Sequence, residues 1–211
     1  MQALSRKKLV LFDLDGVLLD SKSNMELAWA DVCSQCEVTT PFEIYFSNIG
    51  RPFKEILNII GIFENQKIIE DVYNQSSFKR MGSAPFYPNV KDYLSFLLAN
   101  QVKIGIVTSK SAERVSPVLK RLGIDFSVVK APDDICRGKP APDHLLMAMA
   151  LVNVDPEDTV FIGDMDVDGM AAKRANIDYL HASWGYGHCG DEVIKLNDIT
   201  DINKYLGGEL K

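Results

Sequence analysis

A short apolar run that ends in two closely spaced carboxylates constrains this chain more than any other segment. The run is Leu9–Phe12, and Asp13 and Asp15 follow it at once. An unbroken apolar stretch of this length is typical of a strand buried on both faces of a parallel sheet. Ligands of open α/β sheets bind beyond the carboxyl ends of the strands, so the two acids should stand at a site. Carboxylates this close together need a cation or a proton to neutralise them.

The chain beyond residue 88 alternates between strand and helix patterns. We predict strands at 104–107, 126–130, 159–162 and 177–180, and helices at 112–122, 142–151, 167–175 and 197–206, followed by a frayed tail at 207–211. Such alternation indicates a parallel sheet flanked by helices. The predicted fold is therefore α/β, a Rossmann-like three-layer core with Leu9–Phe12 as its first strand.

Residues 22–82 show helical periodicity and no strand pattern. Apolar residues recur at helical spacing in three stretches, and Pro and Gly residues separate the stretches. We predict a small inserted all-α domain at 22–82, with residues 1–21 and 83–211 forming the α/β core. Four large aromatic side chains of the insert should pack its own small core or, alternatively, support a dimer: Trp29, Phe42, Tyr45 and Phe46.

The composition favours a protein that binds small molecules. The chain has 211 residues, 46% of them hydrophobic, and a net charge of -6, which argues against a nucleic-acid surface. No stretch approaches the roughly 20 apolar residues of a bilayer span, and residues 1–8 lack a signal-peptide core. We expect a cytoplasmic monomer or weak homodimer with no membrane contact.

The cysteines and histidines give no metal or disulfide pattern in the sequence. Four cysteines do not form a disulfide framework in a chain this long, and Cys33 and Cys36 fit one face of a helix. The histidines His144, His181 and His188 are dispersed. The sequence therefore predicts no zinc site.

Polar side chains follow the predicted strands and should converge at one edge of the sheet. Phosphoryl transfer requires carboxylates that hold Mg²⁺. It also requires groups such as a hydroxyl and an ammonium that neutralise the remaining charge of the phosphate. Each residue alone has an ordinary role as a turn former, a helix cap or a solvated charge. The set consists of Asp13, Asp15, Thr108, Ser109, Lys139 and Asp164.

Four segments in order resemble the four motifs of the haloacid dehalogenase superfamily: residues 12–21, 106–109, 138–140 and 163–168. The resemblance runs nearly the length of the chain. The helical insert after the first motif resembles members with a small α-helical cap, such as phosphoglycolate phosphatases and β-phosphoglucomutases. The segment 184–187 is similar to a loop of the phosphoglycolate phosphatase branch.

The resemblance implies roles for the acids. Asp13 would be the nucleophile that forms an aspartyl-phosphate, and Asp15 the general acid and base. Mg²⁺ would be held by Asp13, the backbone carbonyl of Asp15 and Asp164. Asp168 would orient the waters of the metal, and Asp166 would lie at the surface.

The resemblance also assigns the residues around the phosphate. Thr108 and the backbone of Ser109 would hold the phosphoryl oxygens, and Lys139 would pair with both phosphate and nucleophile. Arg51 in the insert is expected either to grip a second anionic group of the substrate or to be a solvated charge. Met165 stands where the family often has Ser or Thr, which predicts weaker Mg²⁺ binding.

The function that follows is a Mg²⁺-dependent phosphomonoester hydrolase acting on a small phosphorylated metabolite. A phosphosugar mutase is the alternative, because the insert could shield a bound sugar phosphate from water. A non-catalytic binding module on the same fold is a second alternative. A dehalogenase is disfavoured, because that branch works without a metal and the acids of the last motif are present here. Lys79 and Arg80 have the same two alternatives as Arg51, and the solvated charge is favoured for both.

Overall fold

The computed structural model describes residues 7–207. The start of the chain at 1–6 and most of the predicted frayed tail, 208–211, lie outside the described residues. Within the described part, the strands are β1 (Leu9–Phe12), β2 (Lys103–Val107), β3 (Val128–Lys130), β4 (Thr159–Gly163), β5 (Asp178–Ala182) and β6 (Ile194–Leu196).

The strands form one parallel sheet in the order β3-β2-β1-β4-β5-β6. From the central β1 the chain first builds one side of the sheet and then returns to build the other. The carboxyl ends of β1, β2 and β4 therefore meet at the point where the strand order reverses, which is where such sheets bind ligands.

Helices lie between the strands. In chain order they are α1 (Lys22–Cys36), α2 (Phe42–Phe46), α3 (Phe53–Ile59), α4 (Gln66–Arg80), α5 (Val90–Ala99), α6 (Ala112–Leu122), α7 (Asp143–Val152) and α8 (Asp166–Ala175), with 3₁₀-helices at Pro156–Asp158 and Ile199–Tyr205. Among residues 7–207, no helix is both long and apolar enough to cross a membrane.

Alternate residues of β1 enter two hydrophobic cores on opposite faces of the sheet. Val10 and Phe12 pack in the core that contains α5 and α6, whereas Leu9 and Leu11 pack in the core that contains α7 and α8. Burial on both faces explains why this strand has no polar residue. The predicted three-layer α/β fold is confirmed.

The insert has a hydrophobic core of its own, built by α1 to α4. The Trp29 ring stacks on Tyr45 with 4.3 Å between ring centroids, and its Nε1 donates to the carbonyl of Thr40. Phe42 and Phe46 pack against the same core. In this structure the four aromatic residues therefore pack in the core of the insert, and Phe46 also contacts the ring of Tyr186, which lies outside the insert.

The two connections to the insert run side by side. The backbone N–H of Asp20 donates to the carbonyl of Pro85 at 2.9 Å, and Leu19 pairs with Phe86 in an antiparallel bridge. The chain thus leaves and re-enters the core at neighbouring points.

The predicted helix at 197–206 is wrong in type. The segment forms the 3₁₀-helix Ile199–Tyr205, and the Asp198 carboxylate accepts the backbone N–H of Thr200 at its start. Short segments with local side-chain caps often take this tighter turn. The edge strand β6 was not predicted, because three residues with Ile194 and Lys195 exposed carry too little pattern.

Candidate active site

Three neighbouring strands deliver polar residues to one edge of the sheet. Asp13 follows β1, Thr108 follows β2 and Asp164 follows β4, while Lys139 arrives from the loop before α7. All four side chains are buried. The structure therefore brings together the residues that the sequence placed at the ends of separate strands.

Lys139 bridges two carboxylates. Its Nζ lies 2.8 Å from Asp13 Oδ1 and 2.6 Å from Asp168 Oδ1. Burial by itself would lower the pKa of Lys139, but the charges of Asp13 and Asp168 outweigh burial and raise it. Burial raises the pKa of Asp13 to about 7 against the opposing charge of Lys139. This ammonium is the main counter-charge to the predicted nucleophile.

Asp13, Asp164 and Asp168 form an acidic cluster of the kind that binds a metal ion. One carboxylate oxygen from each lies within 4.8 Å of the others. Asp164 Oδ1 is buried and has no hydrogen-bond partner among the described residues, while its Oδ2 accepts the backbone N–H of Tyr186 at 2.7 Å. Burial, with the neighbouring charges of Asp168 and Asp13, raises the pKa of Asp164 well above its usual range. An unpaired carboxylate oxygen among acids fits a hard divalent cation such as Mg²⁺.

Asp168 has both carboxylate oxygens engaged by protein groups. Oδ1 accepts from Lys139, and Oδ2 accepts the backbone N–H groups of Asp164 at 3.1 Å and Met165 at 3.0 Å. These contacts fix the start of α8 and the position of Lys139. That Asp168 orients the waters of a bound metal stays a prediction.

Two glycines let the backbone approach Asp164. Gly16 has φ +84°, and a Cβ there would lie 2.1 Å from Asp164 Oδ2. A Cβ on Gly185 would lie 2.3 Å from Asp164 Cβ. The segment 184–187 thus packs on the predicted metal ligand, where Trp184 Nε1 also donates to the carbonyl of Val17.

Asp15 is held by two residues that the sequence analysis did not single out. Lys110 Nζ lies 3.1 Å from Asp15 Oδ1, and the Ser21 hydroxyl donates to the same oxygen. Lys110 is buried, and its backbone N–H donates to Thr108 Oγ1 at 3.1 Å. Burial lowers the pKa of Lys110, and the charge of Asp15 opposes this. Its place two residues after Thr108 was the signal available in the sequence.

A cavity of about 60 Å³ lies between the sheet edge and the insert. Its polar side comes from the sheet and its apolar side from the insert. Because one water needs about 10–15 Å³ of such space, the cavity is large enough for a small anion. The polar side is lined by Asp13, Asp15, Thr108, Ser109 and Lys110, and the apolar side by Met25, Tyr45, Ile49, Phe53, Ile56 and Tyr73.

Arg51 lines the cavity, as one of its two predicted roles requires. Its Nη2 lies 3.4 Å from Asp166 Oδ2, and its buried Nε has no hydrogen-bond partner among the described residues. The Ser109 hydroxyl donates to the carbonyl of Gly50 at 2.6 Å. The loop of the insert that contains Gly50 and Arg51 therefore contacts the core at Ser109 and at Asp166.

Arg114 is a further cation at the cavity that the sequence analysis missed. Its guanidinium lies 5.3 Å from the centroid of the Tyr73 ring, and Nη1 lies 3.4 Å from Ser77 Oγ. Arg80 instead pairs with Asp31 at 3.0 Å outside the cavity. Arg114 lies four residues before Val118 on the buried face of α6, and this spacing was the signal available in the sequence.

Comparisons with known proteins agree with this geometry. Residues 10–182 match the family model described as haloacid dehalogenase-like hydrolase. The pyrophosphatase PpaX of Oceanobacillus iheyensis is 26% identical over 207 residues, which cover 94% of this chain and 96% of that protein. A phosphoglycolate phosphatase of Psychrobacter arcticus is 30% identical over 210 residues, covering 90% of this chain and 89% of that one.

A solved structure of a hydrolase from Pseudomonas syringae shares the fold. It superposes with a TM-score of 0.84 at 22% identity and covers 95% of this chain and 97% of that one. The four motifs, the sheet order and the family match agree with one another, and the predicted superfamily is confirmed. The chain is an enzyme that belongs to the haloacid dehalogenase-like hydrolases and is similar to their phosphatases.

Proposed function

We propose that this chain is a Mg²⁺-dependent phosphatase that cleaves a small phosphorylated metabolite through an aspartyl-phosphate on Asp13. The observation that carries the proposal is the position of Asp13, which lines the cavity with Asp15 while Lys139 holds its Oδ1 at 2.8 Å. A nucleophilic carboxylate needs such a fixed position, because it attacks a group that is itself anionic.

Mg²⁺ would be held by Asp13, Asp164 and the backbone carbonyl of Asp15. The unpaired Asp164 Oδ1 supports this assignment. When bound, the ion supplies positive charge against the phosphoryl oxygens. Met165 offers no hydroxyl here, and its side chain packs instead against the core of the insert.

The same residues of the chain serve both chemical steps. Asp13 attacks phosphorus, and protonated Asp15 gives its proton to the departing substrate oxygen. Asp15 then takes a proton from the water that attacks the aspartyl-phosphate, which releases phosphate and restores Asp13. Thr108, Ser109 and Lys139 hold the phosphoryl oxygens during both transfers.

The cavity favours a compact substrate with a second negative charge. Arg51, Lys110 and Arg114 all line it, so more positive charge is present than one phosphoryl group needs. The two relatives are named for pyrophosphate and phosphoglycolate, which are both small anions. These names support the class of substrate rather than one compound.

Residues 22–82 would act as a cap that closes over this cavity. The contact of Ser109 with Gly50 and the pair of Arg51 with Asp166 would form on closure and exclude water from the transfer. The cytoplasmic location and the monomeric or weakly dimeric state stay predictions.

The test is phosphate release from a panel of phosphomonoesters and pyrophosphate, with Mg²⁺ and with a chelator. We expect metal-dependent release concentrated on one or two compounds. Asp13→Asn should abolish release and keep its circular dichroism spectrum, while Asp125→Asn, a change of the same charge at an exposed position, should behave like the parent.

Other results would redirect the proposal. Isomerisation of β-hexose 1-phosphates without phosphate release would favour the mutase alternative. Release that persists in the chelator would contradict the metal requirement, and full activity of Asp13→Asn would remove it as the nucleophile. No turnover in either assay would favour the binding-module alternative.

A further inference from the structure

A second group of metal-binding side chains lies outside the proposed active site, around the loop between β3 and α7. It comprises Asp133 and Cys136 from the loop and His144 from the first turn of α7. One ligand atom from each lies within 4.8 Å of the others. The sequence analysis predicted no zinc site because the histidines are dispersed, but α7 returns His144 to the loop.

The environment of His144 independently indicates that its side chain binds an ion. The residue is 2% exposed, and its Nε2 is buried with no hydrogen-bond partner among the described residues. Buried polar atoms in native structures nearly always have a partner. Burial lowers the pKa of His144 and so favours the neutral imidazole, the form that binds metal ions.

The distance from His144 to Asp133 suits two ligands of one ion. Nε2 lies 4.0 Å from Asp133 Oδ1, which is too long for a hydrogen bond. Two atoms that each bind the same zinc ion at about 2.0–2.2 Å can be separated by no more than roughly this distance. Only a small inward shift would close the angle to a tetrahedral value.

The loop already orients the Asp133 carboxylate. Oδ1 accepts the backbone N–H groups of Ile135 at 3.0 Å and Cys136 at 2.7 Å, and Oδ2 pairs with Lys130 at 3.0 Å. These contacts place Cys136 and the carboxylate beside the same buried nitrogen. A preformed arrangement of this kind lowers the entropic cost of binding an ion.

We propose that Asp133, Cys136 and His144 form a binding site for a transition-metal dication of the Zn²⁺ class. A nitrogen, a thiolate and one carboxylate oxygen select such an ion over Mg²⁺. Three protein ligands leave a fourth position for water. The Cys136 thiol releases its proton to solvent when the ion binds.

The site would fix the segment that delivers Lys139. Cys136 precedes Lys139 by three residues, and Gly138 between them packs against Pro52 of the insert, where an added Cβ would lie 2.7 Å from Pro52 Cγ. An ion bound beside Cys136 would therefore hold the loop against α7, next to the contact of Gly138 with the insert. It takes no part in the proposed phosphoryl transfer.

The first test is a titration with Co²⁺. Excess Mg²⁺ is present to occupy the carboxylates of the active site. We expect a thiolate-to-cobalt charge-transfer absorption that saturates at one equivalent. Cys136→Ser should lose this absorption, while the control variants Cys189→Ser and Cys36→Ser, at partly buried cysteines elsewhere, should keep it. Absence of the band in the parent, or its survival in Cys136→Ser, would overturn the proposal.

A second measurement compares Zn²⁺ affinities by competition with a chromophoric chelator. Cys136→Ser and His144→Gln should each weaken binding by more than about 100-fold, since even the partners of metal ligands change affinity by 10–100-fold. Equal affinity in the parent and Cys136→Ser would also overturn the proposal. Because Cys136 is only partly buried, its variant decides the question even if His144→Gln fails to fold.

Discussion

The ammonium of Lys110 lies 3.1 Å from the carboxylate of Asp15, and the Lys110 side chain is only 1% exposed. The Ser21 hydroxyl donates to the same carboxylate oxygen. Two donors therefore fix the group that is proposed to move the proton in both chemical steps. A buried lysine gains this position only because Asp15 offsets the cost of its burial.

Lys110→Met should lower kcat at least about tenfold, because positioned acid–base groups contribute about 10²–10⁴-fold and this variant loosens one of them. Steady-state kinetics on the best substrate would measure the effect. Lys120→Met, at an exposed position of the helix α6 that follows Lys110, should leave kcat unchanged. Equal kcat in Lys110→Met and the parent would show that Asp15 does not depend on this ion pair.

Asp15→Asn should accumulate phosphorylated Asp13, because an amide cannot take a proton from the attacking water. An activated ester such as p-nitrophenyl phosphate would still form the intermediate, since its leaving group needs no proton. Mass spectrometry of the quenched protein should show the added phosphoryl group. Unchanged turnover would exclude Asp15 as the acid and base.

Lys139→Met should destabilise the metal-free protein by about 3–5 kcal/mol, because it leaves the buried Asp13 and Asp168 carboxylates without their cation. Urea unfolding would measure this change in free energy. Lys204→Met breaks an exposed pair with Asp201 and should cost less than about 1 kcal/mol. Similar losses in the two variants would contradict the proposed counter-charge role.

The stability of the chelated protein should depend on pH through Asp13. Its pKa is about 7 in the folded chain against an ordinary value of 3.8, so the folded state binds more protons between these values. This group therefore lowers the free energy of unfolding as pH rises from about 4 to about 7. Mg²⁺ binds the ionised carboxylates, so its stabilising effect should grow over the same range.

Asp13→Asn is the control for this pH dependence. The difference in unfolding free energy between the parent and this variant should change with pH in the chelator, because only the parent has a carboxyl group at position 13. A difference that stays constant from pH 4 to 7 would contradict the effect of burial on Asp13.

Gly16→Ala should abolish turnover and destabilise the fold. Its added Cβ would lie 2.1 Å from Asp164 Oδ2, in a backbone conformation with φ +84°. Gly61→Ala is the matched control, because Gly61 has φ +80° and nothing within 4 Å of the added atom. The control should lose only the conformational term of about 1–2 kcal/mol. Equal losses would show that close packing on Asp164 is not what requires Gly16.

The sequence predicted the parts of the fold that carry strong local patterns. The apolar run Leu9–Phe12 and the alternation after it led to the parallel sheet, because strands buried on both faces have no polar positions. Helix α5 was missed although Val90, Tyr93, Leu94 and Leu97 have helical spacing and are buried. Edge strand β6 lacked a comparable pattern.

The site was predicted less completely, because motif residues are visible in a sequence and their partners are not. Asp13 and Lys139 lie 126 positions apart; the strand pattern placed both at one edge of the sheet, and the family resemblance predicted that they pair. Lys110 and Arg114 carry no motif of their own, and their burial beside Asp15 and Tyr73 depends on tertiary packing. The roles of the acids stay proposals until the variants are measured.

The antiparallel bridge between Leu19 and Phe86 brings the two ends of the insert together at one point of the core. The chain enters and leaves the insert through two segments that lie side by side, so a different set of helices could be placed between them without changing the sheet or its carboxylates. The groups proposed for the chemistry and most of those that enclose the substrate thus lie on separate parts of the chain. Substrate preference can therefore diverge through the insert while the reaction itself is conserved.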